Sequence, residues 1–121
     1  MVLDTNILIA YLNGESKVVK ILSDWKSSGR VLFISSISKA EILALPKISP
    51  ADVEKIRLFL NDFLSIPFDD SAAESAAFIK RIYKLKLPDA GIAATALTRN
   101  FPLVTRDRQF YKIREITVIK I

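Results

Sequence analysis

Val2-Leu3-Asp4-Thr5-Asn6 is a short apolar run that stops at a carboxylate, and Ile7 to Leu12 follows with an apolar pattern long enough for a helix. In an open α/β sheet, ligands bind in the crevice outside the carboxyl ends of the strands. A strand ending in Asp therefore sets an acid where such a fold does its chemistry. The same residue has a plainer reading, since Asp is among the favoured N-cap residues. What separates the two readings is whether the arrangement recurs along the chain.

It recurs. Asn13-Gly14 marks a turn, and a second helix follows with Val18, Leu22 and Trp25 at i, i+4 and i+7 and Gly29 as its stop. Trp25 is read as core. Val31-Leu32-Phe33-Ile34 is a continuous apolar run suited to a strand buried on both faces. Ser38-Lys39-Ala40-Glu41 matches the S-x-x-E capping box of a helix start, and Pro46 ends or kinks that helix. Ser49-Pro50-Ala51-Asp52 opens the next helix, whose stripe is Val53, Ile56, Leu60 and Phe63 or Leu64. Ile66-Pro67-Phe68 is expected as a third strand at a sheet edge. Ser71 to Lys84 is a helix, and Leu87-Pro88-Asp89 restarts the chain as another, stopped by Asn100 and Pro102. Leu103-Val104-Thr105 is a fourth strand leading into Arg106-Asp107-Arg108-Gln109-Phe110, and Ile116 to Ile119 a fifth.

Apolar strands separated by helices predict a three-layer α/β/α domain over residues 1–121 with a five-stranded parallel sheet. The order 3-2-1-4-5 sets strands 1 and 4 side by side at the topological switch point. Asp4 and Asp107 are then neighbours at the mouth of the crevice. Glu41 follows strand 2 on one side, and Asp89 opens the helix leading into strand 4.

The composition narrows the chemistry. Half the residues are hydrophobic, and there is no Cys and no His. That removes disulfides, thiolate nucleophiles, cysteine zinc sites and Ser-His catalysis. Catalysis here must run on carboxylates, hydroxyls, Lys, Tyr or a bound ion. The longest charge-free run, Thr5 to Gly14, is too short to span a bilayer. Asp4 and the lack of a basic leader argue against a signal peptide, so a soluble cytoplasmic protein is expected.

The net charge of +5 is uneven: residues 1–79 carry 8 basic and 10 acidic side chains, residues 80–121 carry 10 and 3. A basic C-terminal third would attract nucleic acid. Equally, Lys80, Arg81, Lys84 and Lys86 could be only the solvated face of a helix.

Each acid also has a structural reading. Asp4 and Asp107 can be N-caps, Glu41 a capping-box glutamate, and Asp89 a first-turn residue on a helix dipole. Together they gather at one edge of one sheet, where carboxylates repel unless protonated or neutralised. Mg²⁺ takes oxygen ligands and keeps several waters, so a few carboxylates suit it.

Four segments carry a resemblance. Leu3-Asp4-Thr5-Asn6, Ala40-Glu41-Ile42-Leu43, Leu87-Pro88-Asp89-Ala90-Gly91-Ile92 running on to Leu97, and Leu103-Val104-Thr105-Arg106-Asp107-Arg108-Gln109-Phe110 stand in the order and spacing of the PIN-domain ribonucleases. Within that superfamily the chain resembles the VapC toxins of toxin–antitoxin pairs. The resemblance implies a metal-dependent endoribonuclease, with Asp4, Glu41, Asp89 and Asp107 holding Mg²⁺ or Mn²⁺. It implies water as the attacking group, because the family's products carry 5′-phosphates. Asn6 and Thr105 match positions of polar support, with a local turn bond and a β-branched strand end as their alternatives. Lys80, Arg81, Lys84, Lys86, Arg106 and Arg108 are candidate RNA contacts, and a small antitoxin and a homodimer are the implied partners. Gly91 departs from the family, which has a bulky apolar residue there, so looser packing or a wider site is expected. The Leu45–Pro50 segment is short, and no contacts can be carried over to it.

Two other classes compete. A receiver-like phosphoacceptor domain would use Asp4, Asp69 after strand 3 and Thr105, but strand 1 ends in one acid rather than a pair. A PIN-like interaction module without activity is the other, and the intact acidic set weighs against it. No phosphate-binding glycine loop is present to support nucleotide hydrolysis.

Overall fold

Val2 and Leu3 form β1 (Val2–Leu3), the central strand, with β2 (Phe33–Ser35) on one side and β4 (Leu103–Thr105) on the other. β3 (Leu64–Ile66) and β5 (Val118–Lys120) are the edges, giving a parallel five-stranded sheet of order β3-β2-β1-β4-β5. The computed structural model describes residues 1–121. The helices are α1 (Thr5–Leu12), α2 (Ser16–Ser27), α3 (Ser36–Leu43), α4 (Pro50–Leu60), α5 (Asp70–Tyr83) and α6 (Leu87–Arg99), with a 3₁₀ turn at Arg108–Phe110.

Alternation along the strands sorts the core into two layers. Val2, Ile66 and Leu103 point to a cluster covered by α5 and α6 through Ala76, Ile79, Ala90, Ala93 and Ala94. Leu3, Ile34 and Val104 point to the other, with Ile7, Leu8, Val18, Leu22, Ile56 and Leu60 from α1, α2 and α4. The expected three-layer α/β/α architecture and strand order are those observed. Trp25 is half-buried and packs on the second cluster. Phe63, not Leu64, completes the α4 stripe: Phe63 is buried, while Leu64 is exposed.

Several boundaries move, each for a backbone reason. The second strand is Phe33–Ser35 rather than Val31–Ile34, because β1 begins at Val2, which pairs with Phe33 and leaves Val31 without a ladder partner. The third strand is Leu64–Ile66 rather than Ile66–Phe68, since Pro67 has no N–H to give a neighbour. The last strand runs two residues later than expected at its start, to Lys120 opposite Thr105.

The capping box at Ser38–Glu41 is not formed. Ser35 caps α3, its Oγ accepting from Ile37 N, so Glu41 lies in the helix's last turns. The capping box at Ser49–Asp52 is present, with both reciprocal bonds at 3.1 Å. Asn100 ends α6 in a left-handed conformation (φ 56°), as Asn there predicts.

Gly91 does not loosen anything. It is buried, and a Cβ there would run into the Ile37 side chain and press on Phe68. The missing side chain is the space into which Ile37 fits, so α6 sits tight against α3.

Candidate active site

All five strands point the same way, so their carboxyl ends share one edge. Asp4 leaves β1 there, Asp107 lies two residues past β4, and Asp89 sits in the first turn of α6, whose start returns to the same edge. Glu41 reaches it from α3.

Asp4 stands at the N-cap position of α1 and makes no capping bond. Its carboxylate is 2% exposed and its Oδ2 accepts instead from Thr105 Oγ1 at 2.7 Å. The capping explanation therefore fails for Asp4, and Thr105 is more than a β-branched strand end. Thr105 Oγ1 also accepts from Asp107 N at 3.0 Å, which ties the two loops across β1 and β4. Asp107 does cap: its Oδ1 accepts from Gln109 N at 3.1 Å. Its Oδ2 accepts from Gln109 Nε2 at 2.7 Å, and the same nitrogen donates to Asp89 Oδ2 at 3.1 Å.

Glu41 is held from the other side. Thr5 Oγ1 lies 2.8 Å from both Glu41 Oε1 and Ser38 Oγ. A hydroxyl has one hydrogen and a carboxylate none, so Thr5 gives its proton to Glu41. Thr5 follows Asp4 directly, which couples Glu41 to the β1 end.

The electrostatics agree with the geometry. Burial pushes the Asp4 carboxyl up to about 6, and the charges of Asp89 and Asp107 push it the same way. The Thr105 hydroxyl and the Thr5 backbone N–H oppose that rise. Burial also raises Asp89, helped by Asp107 and opposed by the Gln109 amide and the nearby Lys86. Asp4, Asp89 and Asp107 thus feel one another.

No three acidic side chains yet stand at the mutual distances of ligands around one ion. The donor set still suits a hard divalent cation. It is all oxygen and mutually repelling, and Gln109 already supplies an N–H donor between two of its members. Mg²⁺ is commonly held by only one or two protein carboxylates, with waters filling the rest. Asp89 and Asp107 could hold such an ion, with Asp4 and Glu41 beside it.

The remaining candidates divide. Asn6 is exposed and makes no side-chain hydrogen bond, so the local turn bond is not formed either. Lys80, Arg81, Lys84 and Lys86 are all exposed. Lys80 donates to Leu85 O, Lys84 is the left-handed cap of α5, and Lys86 faces Asp89. Arg108 is exposed, whereas Arg106 is clamped by Glu15 through two bonds of 2.9 and 3.2 Å.

Asp69 caps α5 through Ala72 N and is exposed, beyond the edge strand β3. Receiver-type sheets run 2-1-3-4-5, and this one does not. The phosphoacceptor reading is set aside. Sequence reading missed Gln109 and Thr5; an amide two residues past a capping Asp, and a hydroxyl directly after Asp4, were the available signals.

The PIN domain family matches residues 1–116. The chain belongs to that family. No curated protein matches it in sequence. Among solved structures, a chain of a toxin–antitoxin complex from Klebsiella pneumoniae is 32% identical, with 98% of this chain and 94% of that one covered and a TM-score of 0.83. A chain of VapBC2 from Rickettsia felis, bound to a DNA fragment from its promoter, is 22% identical over 99% and 97%, with a TM-score of 0.85. One from the DNA-bound VapBC of Salmonella typhimurium is 23% identical over 98% and 96%, with a TM-score of 0.79. The VapC-like resemblance read from the four motifs extends over the fold. No helix is long and apolar enough to cross a membrane.

Proposed function

We propose that the chain is a metal-dependent endoribonuclease and the toxin of a toxin–antitoxin pair. The observation that carries this is the linked set Asp4–Thr105–Asp107–Gln109–Asp89 at the switch point of a PIN fold, with Asp4 pushed up to about 6 by burial and neighbouring charge. The 32% identity to a chain of a toxin–antitoxin complex supports the pairing with an antitoxin.

In this reading Asp89 and Asp107 hold Mg²⁺ or Mn²⁺, with Asp4 and Glu41 beside it. When bound, the ion supplies charge for a phosphoryl oxygen and a more acidic water. The chain's own residues do the rest. Thr105 fixes the Asp4 carboxylate in one orientation through Oδ2. Thr5 does the same for Glu41 through Oε1, which leaves Oε2 to take a proton from the attacking water. Water's oxygen bonds to phosphorus, the bond to the 3′ oxygen breaks, that oxygen takes a proton from solvent, and the products are a 5′-phosphate and a 3′-hydroxyl. Lys84, Lys86 and Arg108 supply positive charge for the strand's phosphates. A homodimer and a small inhibitory partner complete the proposal.

The experiment is incubation of the purified chain with a mixed RNA panel, with and without Mn²⁺, mapping every cut end. Cuts that need Mn²⁺ and leave 5′-phosphates are expected. Cutting that continues in excess EDTA, or 2′,3′-cyclic ends, would remove the metal reading.

A further inference from the structure

Gln109 is the one side chain in the site that donates to the carboxylates of two acids. Thr105 serves Asp4 and Thr5 serves Glu41, but the Gln109 Nε2 donates to Asp107 Oδ2 at 2.7 Å and Asp89 Oδ2 at 3.1 Å. A primary amide nitrogen has two hydrogens, so both bonds form at once. The reversed amide would turn its oxygen on two carboxylates, which fixes the orientation chemically.

We propose that Gln109 is a built-in competitor of the cation: its carboxamide fills the place between Asp89 and Asp107 that a divalent ion takes, and loading requires it to swing out. The inference rests on the metal-dependent reading above and adds a control to that site. The amide nitrogen sits 2.7 and 3.1 Å from its two oxygens. Magnesium draws its oxygens to about 2.0–2.1 Å. Nitrogen and cation cannot share that space. Asp89 and Asp107 can close on an ion only when it replaces the amide.

The local structure permits the movement. Gln109 lies on the 3₁₀ turn, half-buried, beside fully buried Phe110, which pins the turn to the core. The Gln109 backbone N–H keeps its own bond to Asp107 Oδ1 at 3.1 Å. The side chain can therefore rotate outward while the turn stays in place. Without a cation the amide relieves repulsion between Asp89 and Asp107, and with one it becomes redundant.

The test is calorimetric titration of the full chain with Mn²⁺, together with melting of the metal-free protein, for the parent, Gln109→Leu, Gln109→Ser and Asp89→Asn. Gln109→Leu and Gln109→Ser should bind Mn²⁺ more tightly by at least about tenfold, because the two charge-assisted hydrogen bonds that loading breaks in the parent are no longer there to lose. Both should melt below the parent without metal and recover when Mn²⁺ is added. Gln109→Lys, with a fixed charge in the same place, should bind Mn²⁺ more weakly than the parent. If both the Leu and Ser variants bind Mn²⁺ as the parent does, or more weakly, Gln109 supports the ion and the competitor role is wrong. A parent that binds no Mn²⁺ instead removes the metal reading beneath it, and an Asp89→Asn variant that binds it equally well takes Asp89 out of the ligand set and the competitor role with it.

Discussion

Asp4 and Asp52 both belong to helix starts, and their surroundings treat them oppositely. Asp52 accepts from Ser49 N in an exposed capping box, and those bonds hold its carboxyl below the usual range. Asp4 occupies the cap position of α1 without capping it, is buried, and is pushed up to about 6. Each is an acid within the opening of a helix, Asp4 at the cap position of α1 and Asp52 three residues past the Ser49 cap of α4. The difference lies in what the sheet brings alongside. α4 begins on an exposed loop, whereas α1 begins at the carboxyl end of the central strand, with Thr105, Asp107 and Asp89 converging on it. At α1 the helix does not use the Asp4 carboxylate, which leaves it to face its acidic neighbours.

The largest effect that can test this contrast is on cleavage. Asp4→Asn keeps an acceptor for Thr105 but loses the charge. It should cost more than the roughly 100-fold typical of a supporting residue around a metal, with the circular dichroism spectrum unchanged. Measurable cutting by that variant at parent rates would make Asp4 no different from Asp52.

The next is pH. Asp4 has a folded pKa of about 6 against 3.8 for the free group, so between those values the folded state holds more protons than the unfolded one. Metal-free stability should therefore fall as pH rises from about 4 to about 6 and level off above, by on the order of 3 kcal/mol. Asp89 adds a change of the same sign. Denaturant midpoints across that range should show the fall in the parent and a much flatter curve in Asp4→Asn. A parent curve rising through that window would contradict the burial of a charged Asp4.

Metal should reverse that cost. At a concentration about 100 times Kd, a ligand bound only by the folded state adds roughly 2.7 kcal/mol. The melting temperature should rise with Mn²⁺ at pH 7, and Asp89→Asn should lose most of the rise. Full retention by that variant would take Asp89 out of the ligand set.

The smallest effect belongs to the other region. Ser49→Ala should cost about 1 kcal/mol, the usual worth of an N-cap, and leave both cleavage and the Mn²⁺-induced rise untouched. A cleavage defect in Ser49→Ala would mean that the two helix starts are coupled through the fold after all.

Much of this was readable from the chain. The apolar runs around Leu3, Ile34 and Val104, parted by helical stretches, define a parallel sheet because only strands covered on both faces read that way. The order 3-2-1-4-5, expected from the sequence and observed in the sheet, then gathers Asp4, Asp89 and Asp107 at one edge. What escaped was short-range competition settled at a distance. Ser38 and Glu41 fit a capping box as well as Ser49 and Asp52 do, yet β2 runs one residue further than its apolar run, and Ser35 takes the cap. Gly91 read as a loosening, but Ile37 from another helix fills the space.

Residue spacing by itself determined the alternation of strands and helices and hence the parallel α/β class, because periodicity is a property of the local chain. Only the tertiary structure decided which carboxylate caps, which is buried against its neighbours, and that Gln109 stands between two of them. Those outcomes depend on bonds between residues as far apart as Asp4 and Thr105. No local pattern encodes such a bond: it forms because parallel strands bring their ends to one edge, where low exposure makes every unpaired charge costly.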